Sequence, residues 1–231
     1  MNYSKIGMVI ADECEFEPMR KFALANGGEK LTIGGMECVR VIRGRITLTA
    51  VRCGVGKVNA AAAAAFMIAD GAELLMSTGY SGGISRVQKG DTAIATEFAE
   101  HDFDLTPLGY ELAVKPDQVY TYGADEGVNS IIEQMFPGVV KGPMVTGDCF
   151  VCDNKKREWI KNKFYAVACD METAAVASVG YKCGVKTVAL RRISDDAGDD
   201  AKDMYRSAAA KYETSMIDML MAVVDKMAGV D

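Results

Sequence analysis

The stretch Lys186-Thr-Val-Ala-Leu-Arg-Arg-Ile-Ser-Asp-Asp-Ala-Gly198 decides the fold. It opens as an apolar, β-branched run, breaks into the small polar pair Ser194-Asp195, and passes into acids and glycine. A parallel strand buried on both faces reads as such a run, and in open α/β sheets ligands sit just beyond the carboxyl ends of the strands. Asp195 therefore stands where chemistry is usually done. The competing account is that Ser194 and Asp195 only cap a helix beginning over Asp199 to Met204, since Ser and Asp lead the N-cap preferences.

The same strand-then-polar pattern recurs on either side. Residues 5–11 read as a buried first strand that ends in the acid-rich turn Asp12-Glu13-Cys14-Glu15-Phe16-Glu17, followed by a helix through about Asn26. Acids in a first helical turn favour the helix dipole, which explains their presence but not which of them faces inward. Two runs, 36–43 and 45–52, are separated by a glycine and predict a hairpin. The second leads into Cys53-Gly-Val-Gly-Lys57 and the Ala-rich helix 58–69. This turn lacks both the dinucleotide fingerprint and the Gly-Lys-Ser/Thr of a nucleotide-triphosphate loop, so its glycines are read as letting the helix approach the sheet. Residues 73–83, ending Thr78-Gly-Tyr-Ser-Gly-Gly83, predict a buried strand running into a glycine-rich turn. Gly79, Gly82 and Gly83 there could converge backbone N–H groups on a ligand oxygen, with a plain tight turn as the alternative.

Further strands are expected at 90–99, 139–145 and 166–172, and helices at 125–136, 154–164, 173–183 and 201–227, with 111–123 irregular. No repeat, linker or compositional break divides residues 1–231, so one α/β domain is expected. Glu172, at a strand end before an apolar helix, is hard to explain as surface charge, and Thr173 would be the better cap.

The totals narrow the function. A net charge of −6 argues against a nucleic-acid or anionic-membrane surface, whose footprint is clustered Lys and Arg, and leaves a small-molecule partner as the default. No apolar run is long enough to span a bilayer. Seven scattered cysteines do not make a secreted-type framework and point to a reducing cytoplasm. The pair Cys149-x-x-Cys152 has no second pair to hold zinc and the wrong setting for a thioredoxin-type dithiol, so it is read as two small buried thiols. His101 is the single histidine and is poor evidence for a metal.

Strand ends at Glu15, Gly79 to Gly83, Phe150, Glu172 and Asp195 could converge on one edge of a sheet. With these residues in place, the chain resembles the purine nucleoside phosphorylase-like family, and most closely its bacterial methylthioadenosine/S-adenosylhomocysteine nucleosidase branch. The resemblance runs from Ile6 to the last helix. Its most specific signals are Asp170-Met-Glu-Thr-Ala174 and Arg191-Arg-Ile-Ser-Asp195, supported by Thr78-Gly-Tyr-Ser-Gly-Gly83, Thr146-Gly-Asp-Cys-Phe150 and Gly54-Val-Gly-Lys57. It implies a three-layer αβα fold around a central mixed, twisted sheet, a purine nucleoside as substrate, no cofactor, no metal and a homodimer. By the family pattern Asp195 would protonate the purine at N7, with Ser194 positioning it. Met171 and Glu172 would hold the ribose, Phe150 would stack on the base and the backbone of Val151 would read its edge. Glu15 would deprotonate the attacking water, and Arg191 would line the same pocket. Tyr80, Ser81 and Gly82 would belong to the pocket too, and the loop from His101 to Tyr110 would close its 5′ end. Tyr80, Asp170 and Leu108 depart from the branch's usual residues.

Cleaving an N-glycosidic bond passes through an oxocarbenium-like sugar, so it needs a proton donor on the leaving base and a general base on the water at the opposite face. Two carboxyls in unlike settings can supply both. A phosphorylase must instead hold a phosphate dianion against the sugar, normally with Arg, and the acids at 12, 13, 15 and 17 would repel it. Hydrolysis is therefore expected, with phosphorolysis or non-catalytic nucleoside binding as the rival readings.

Overall fold

The computed structural model describes residues 3–209 and 215–230. Ten strands form one mixed sheet: β1 (Lys5–Ile10), β2 (Glu29–Ile33), β3 (Met36–Arg43), β4 (Ile46–Arg52), β5 (Leu74–Gly83), β6 (Thr92–Glu100), β7 (Thr121–Gly123), β8 (Val140–Thr146), β9 (Ala168–Asp170) and β10 (Lys186–Asp195). The helices are α1 (Glu13–Ala25), α2 (Lys57–Ala69), α3 (Glu126–Met135), α4 (Asn154–Phe164), α5 (Thr173–Cys183), α6 (Ala201–Ala209) and α7 (Ser215–Ala228). The helix expected over 201–227 corresponds to α6 and α7, with residues 210–214 outside the described residues.

β1 runs parallel to β4 on one side and β5 on the other, and the hairpin of β3 and β4 carries β2 at the open edge. Beyond β5 the sheet curls: β10 pairs with β5 in parallel and with β6 in antiparallel, while β8 and β9 return to β5 from the other side. Five strands thus close into a ring, and no local pattern announces that closure.

Side-chain alternation along β1 assigns its two faces. Ile6, Met8 and Ile10 pack with Phe16 and Met19 of α1 and with α7, whereas Val9 and Ala11 pack with Ala60, Ala63, Ala64 and Met67 of α2 and with α5. Gly7 lies where α2 comes nearest, and a Cβ there would sit 2.7 Å from Met67 Cβ. Fully buried Met67 contributes roughly 2–3 kcal/mol by leaving water.

Candidate active site

Three strand ends and two loops surround one cavity. It is lined from α1 by Asp12 and Glu15, from β5 by Tyr80, Ser81 and Gly82, and after β8 by Cys149, Phe150 and Val151. Cys169, Asp170, Met171 and Glu172 close it around β9, Ser194 and Asp195 from the end of β10, and Tyr205 from α6. Ala11 and Val55 also line it, and no Lys, Arg or His does so among the described residues.

Asp195 ends a strand and caps nothing: α6 begins at Ala201, which removes the capping account. Its carboxylate accepts from Ser194 Oγ at 2.7 Å and from the Ala197 N–H at 2.9 Å, a short-range turn that fixes its direction. Burial raises its pKa above the ordinary carboxylate range; the two donors oppose that, and neighbouring Asp196 adds to it.

Glu15 is held by a capping box. Asp12 accepts from the Cys14 N–H, and Glu15 Oε2 accepts from the Asp12 N–H at 3.3 Å. Its other oxygen accepts from the Tyr80 N–H at 2.6 Å. Desolvation raises the Glu15 pKa, while Arg191 and the two N–H donors pull it down. The spacing Asp12-x-x-Glu15 was the signal that could have singled out Glu15 among the four acids.

The expected glycine-rich turn at 79–83 is strand instead. Gly82 pairs with Cys169 of β9 and with Asp195 of β10, so most of its neighbours' N–H groups are spent in the sheet. The N–H of Tyr80 is the one turned onto a carboxylate. Gly79 adopts φ +148°, and a Cβ on it would lie 2.6 Å from both Glu15 Oε1 and Arg191 Nη1. That close approach requires glycine.

Arg191 does not line the cavity. It lies fully buried behind it, with Nε 3.2 Å from Asp170 Oδ2 and Nη2 3.7 Å from Glu172 Oε2, and Nη2 donates to Ser77 Oγ and Thr173 Oγ1. Neither Glu172 nor Thr173 caps α5. Asp170 does, accepting from the N–H groups of Glu172 and Thr173 and from Thr146 Oγ1 at 2.6 Å. Burial lifts the Glu172 pKa, against the pull of Arg191 and with the help of Asp170. Glu172 Oε1 accepts the Gly56 N–H at 3.0 Å, and Asp148 accepts the adjoining Lys57 N–H at 2.8 Å. The turn at 53–57 therefore does more than admit α2: the N–H groups of Gly56 and Lys57, at the positive end of that helix, are taken by protein carboxylates. Lys57 Nζ is likewise bound, to Glu100 and Asp102.

Ten of the twelve expected site residues line the cavity; Arg191 and Tyr110 do not. Tyr110 is 42% exposed on the loop after β6. The thiols also depart from expectation: Cys152 is exposed, and half-buried Cys149 lines the cavity and accepts from Lys156 Nζ at 2.9 Å. Asp12, Asp170 and Tyr205 were missed. Tyr205 touches Tyr80 and Phe150 edge-on, with ring centroids 6.3 and 5.6 Å away. Nothing local distinguished it on an amphipathic helix read as outer packing. Ser81 Oγ is buried in the lining with no partner among the described residues, a hydroxyl open to a ligand.

Residues 5–225 match the family described as the phosphorylase superfamily. The 5′-methylthioadenosine/S-adenosylhomocysteine nucleosidase of Shewanella baltica is 32% identical over 229 residues, covering 94% of this chain and 95% of that protein. The S-adenosylhomocysteine nucleosidase of Streptococcus pyogenes, solved with 5-methylthiotubericidin, is 27% identical with a TM-score of 0.88, covering 98% of each chain. The futalosine hydrolase of Helicobacter pylori is 25% identical with a TM-score of 0.90, covering 96% of this chain and 98% of that one.

Proposed function

The chain belongs to the phosphorylase superfamily and is an N-glycosyl hydrolase, and from that premise we propose that it hydrolyses 5′-modified adenosines such as methylthioadenosine to adenine and the free sugar. One observation carries the choice of water over phosphate: Asp12, Glu15, Asp170, Glu172 and Asp195 line the cavity, no Lys, Arg or His among the described residues lines it with them, and Arg191 lies behind the wall already paired with Asp170 and Glu172. The nearest helix N-terminus is already filled by Glu172 and Asp148. A phosphate dianion would meet carboxylates wherever it approached.

In this reading burial, which raises the Asp195 pKa, favours the protonated carboxyl that donates to N7 and makes adenine the leaving group. Ser194 holds its carboxyl in place. Glu15 orients the attacking water and takes its proton, and Arg191 behind it limits how far burial suppresses the ionised form. Glu172, braced by the Gly56 N–H, accepts from the ribose hydroxyls, with Met171 against the sugar. Phe150 stacks on the base, beside the backbone of Val151. The likeness to futalosine hydrolase supports a second substrate of the same chemistry with a larger 5′ group, and aromatic Tyr80 and Tyr205 in the lining offer such a group a surface.

The deciding experiment incubates the protein with methylthioadenosine, or with futalosine, with and without phosphate, and identifies the products. Free purine in phosphate-free buffer is expected, with Asp195→Asn and Glu15→Gln each slower by ~100-fold or more. Turnover that requires phosphate would refute the proposal.

The homodimer belongs to the same proposal. α2 and the turn before it turn Val55, Val58 and Phe66 outward, and Val58 is 80% exposed. Sedimentation should give twice the chain mass. The seven cysteines, all free, support a cytoplasmic setting.

A further inference from the structure

Glu15 faces two cavities. Besides the one just described, it lines a smaller space of about 30 Å³ on its far side, between α1, β5, β10 and α7. Cys14, Pro18, Thr78, Met216 and Ile217 contribute to its walls. Thr78 is 2% exposed, and its Oγ1 is buried with no hydrogen-bond partner among the described residues. A buried hydroxyl without a partner costs ~1–3 kcal/mol, so a polar group in this position calls for one. At roughly 10–15 Å³ of such volume per water, the space has room for about two waters, and the Thr78 hydroxyl and the Glu15 carboxylate are polar groups on its wall.

We propose that this rear cavity is the proton exit of the general base, and that Thr78 is a positioning residue whose hydroxyl orders the water that carries the proton away. The inference rests on the reading of Glu15 as base. In each turnover the attacking water loses one O–H bond as its oxygen bonds to C1′, and the C1′–N9 pair leaves with the adenine, which takes the Asp195 proton at N7. Glu15 ends protonated and Asp195 ionised, so one proton must leave the first carboxyl and one must reach the second. While sugar and adenine fill the front cavity, the front is closed to that traffic. The rear water takes the proton from Glu15 without waiting for product to leave.

The test compares Thr78→Val, which keeps the shape and removes the hydroxyl, with Thr78→Ser, which keeps the hydroxyl. For Thr78→Val the expectation is an unchanged KM for methylthioadenosine, a kcat lower by about tenfold and an altered solvent deuterium isotope effect on kcat. Its thermal stability should equal or exceed the wild type's, because the lost hydroxyl has no protein partner. Thr78→Ser should restore kcat and the isotope effect. A Thr78→Val enzyme with wild-type kcat and isotope effect would overturn the exit, as would equal losses in both variants, which would mean that shape alone matters. Wild-type protein that releases no purine from methylthioadenosine or futalosine would overturn the base assignment itself and the exit with it, a failure separable from the other two.

Discussion

Replacing Arg191 with Met should destabilise the protein by about 4 kcal/mol at pH 7.5, and by much less at pH 4.5. Arg191 lies behind the cavity, within 3.2 Å of Asp170 and 3.7 Å of Glu172, and it lowers the pKa of Glu15 as well. Methionine fills much of its volume but strands buried carboxylates, and breaking a buried pair in that way costs ~3–5 kcal/mol. Loss of the Nη2 donors to Ser77 and Thr173 adds ~1 kcal/mol each unless the two hydroxyls find each other. The pH dependence follows from sign. Burial already raises Glu15 and Glu172, and removing the cation raises them further in the folded state, while the unfolded state keeps ordinary carboxylate values. Between those two values the folded state binds more protons, so the variant loses stability as pH rises and regains it as pH falls toward the unfolded value. Urea unfolding at pH 7.5 and 4.5 measures both losses. Arg191→Lys keeps the charge but not the fork, and should lie between, at about 1–2 kcal/mol. A Met variant that loses under 1 kcal/mol at pH 7.5, or the same amount at both pH values, would refute the claim that Arg191 holds these acids by its charge.

Two further substitutions probe the same region. Gly79→Ala places a methyl 2.6 Å from Glu15 Oε1 and Arg191 Nη1 at φ +148°, so it should cost ~2–3 kcal/mol in a melting experiment and lower kcat by ~100-fold; an Ala variant with normal turnover would show that Glu15 need not sit there. His101 is buried with no partner on either ring nitrogen among the described residues, and burial first, then Lys156, lowers its pKa from 6.5 to about 4. The folded state therefore refuses a proton that the unfolded state accepts, and stability is lost as pH falls through that window. His101→Leu should narrow its stability gap to wild type by on the order of 3 kcal/mol between pH 7 and pH 4, and a pH-independent gap in urea titrations would contradict this.

The strands and helices that set the site were legible because each is a buried run with its own period: β1, β5, β8 and β10 read from apolar stretches, and α2 and α5 from small-residue helices. Two strands were missed. β2 is five mixed residues after Gly27-Gly28, and it is a strand only because β3 offers an edge; β7 is three residues that pair with β6. Gly79 to Gly83 looked like a turn, since glycine has no strand propensity, and they lie in a strand because β9 and β10 approach from both sides. Tyr205 was invisible for a related reason, joining the site through rings far away in sequence, and Asp170, quoted within its motif, gave no sign that it pairs with Arg191.

The two glycine turns show why pattern alone could not choose the nucleophile. Gly54-Val-Gly-Lys57 and Thr78 to Gly83 each resemble an anion cradle, and their sequences do not say what fills them. In the folded chain Glu172 and Asp148 take the donors of the first, and Glu15 takes the free donor of the second. The N–H groups of Gly56, Lys57 and Tyr80 are thus used to position acids. In the proposed reaction two of these acids, Glu172 and Glu15, are the ones that hold the sugar and the water. The same exchange makes the carboxylates interdependent, since Arg191 must serve Asp170, Glu172 and Glu15 together. A change of nucleophile in this fold would thus require removing acids as well as adding a cation: an Arg introduced at the cavity wall would be captured by Glu15 or Glu172 before it met phosphate.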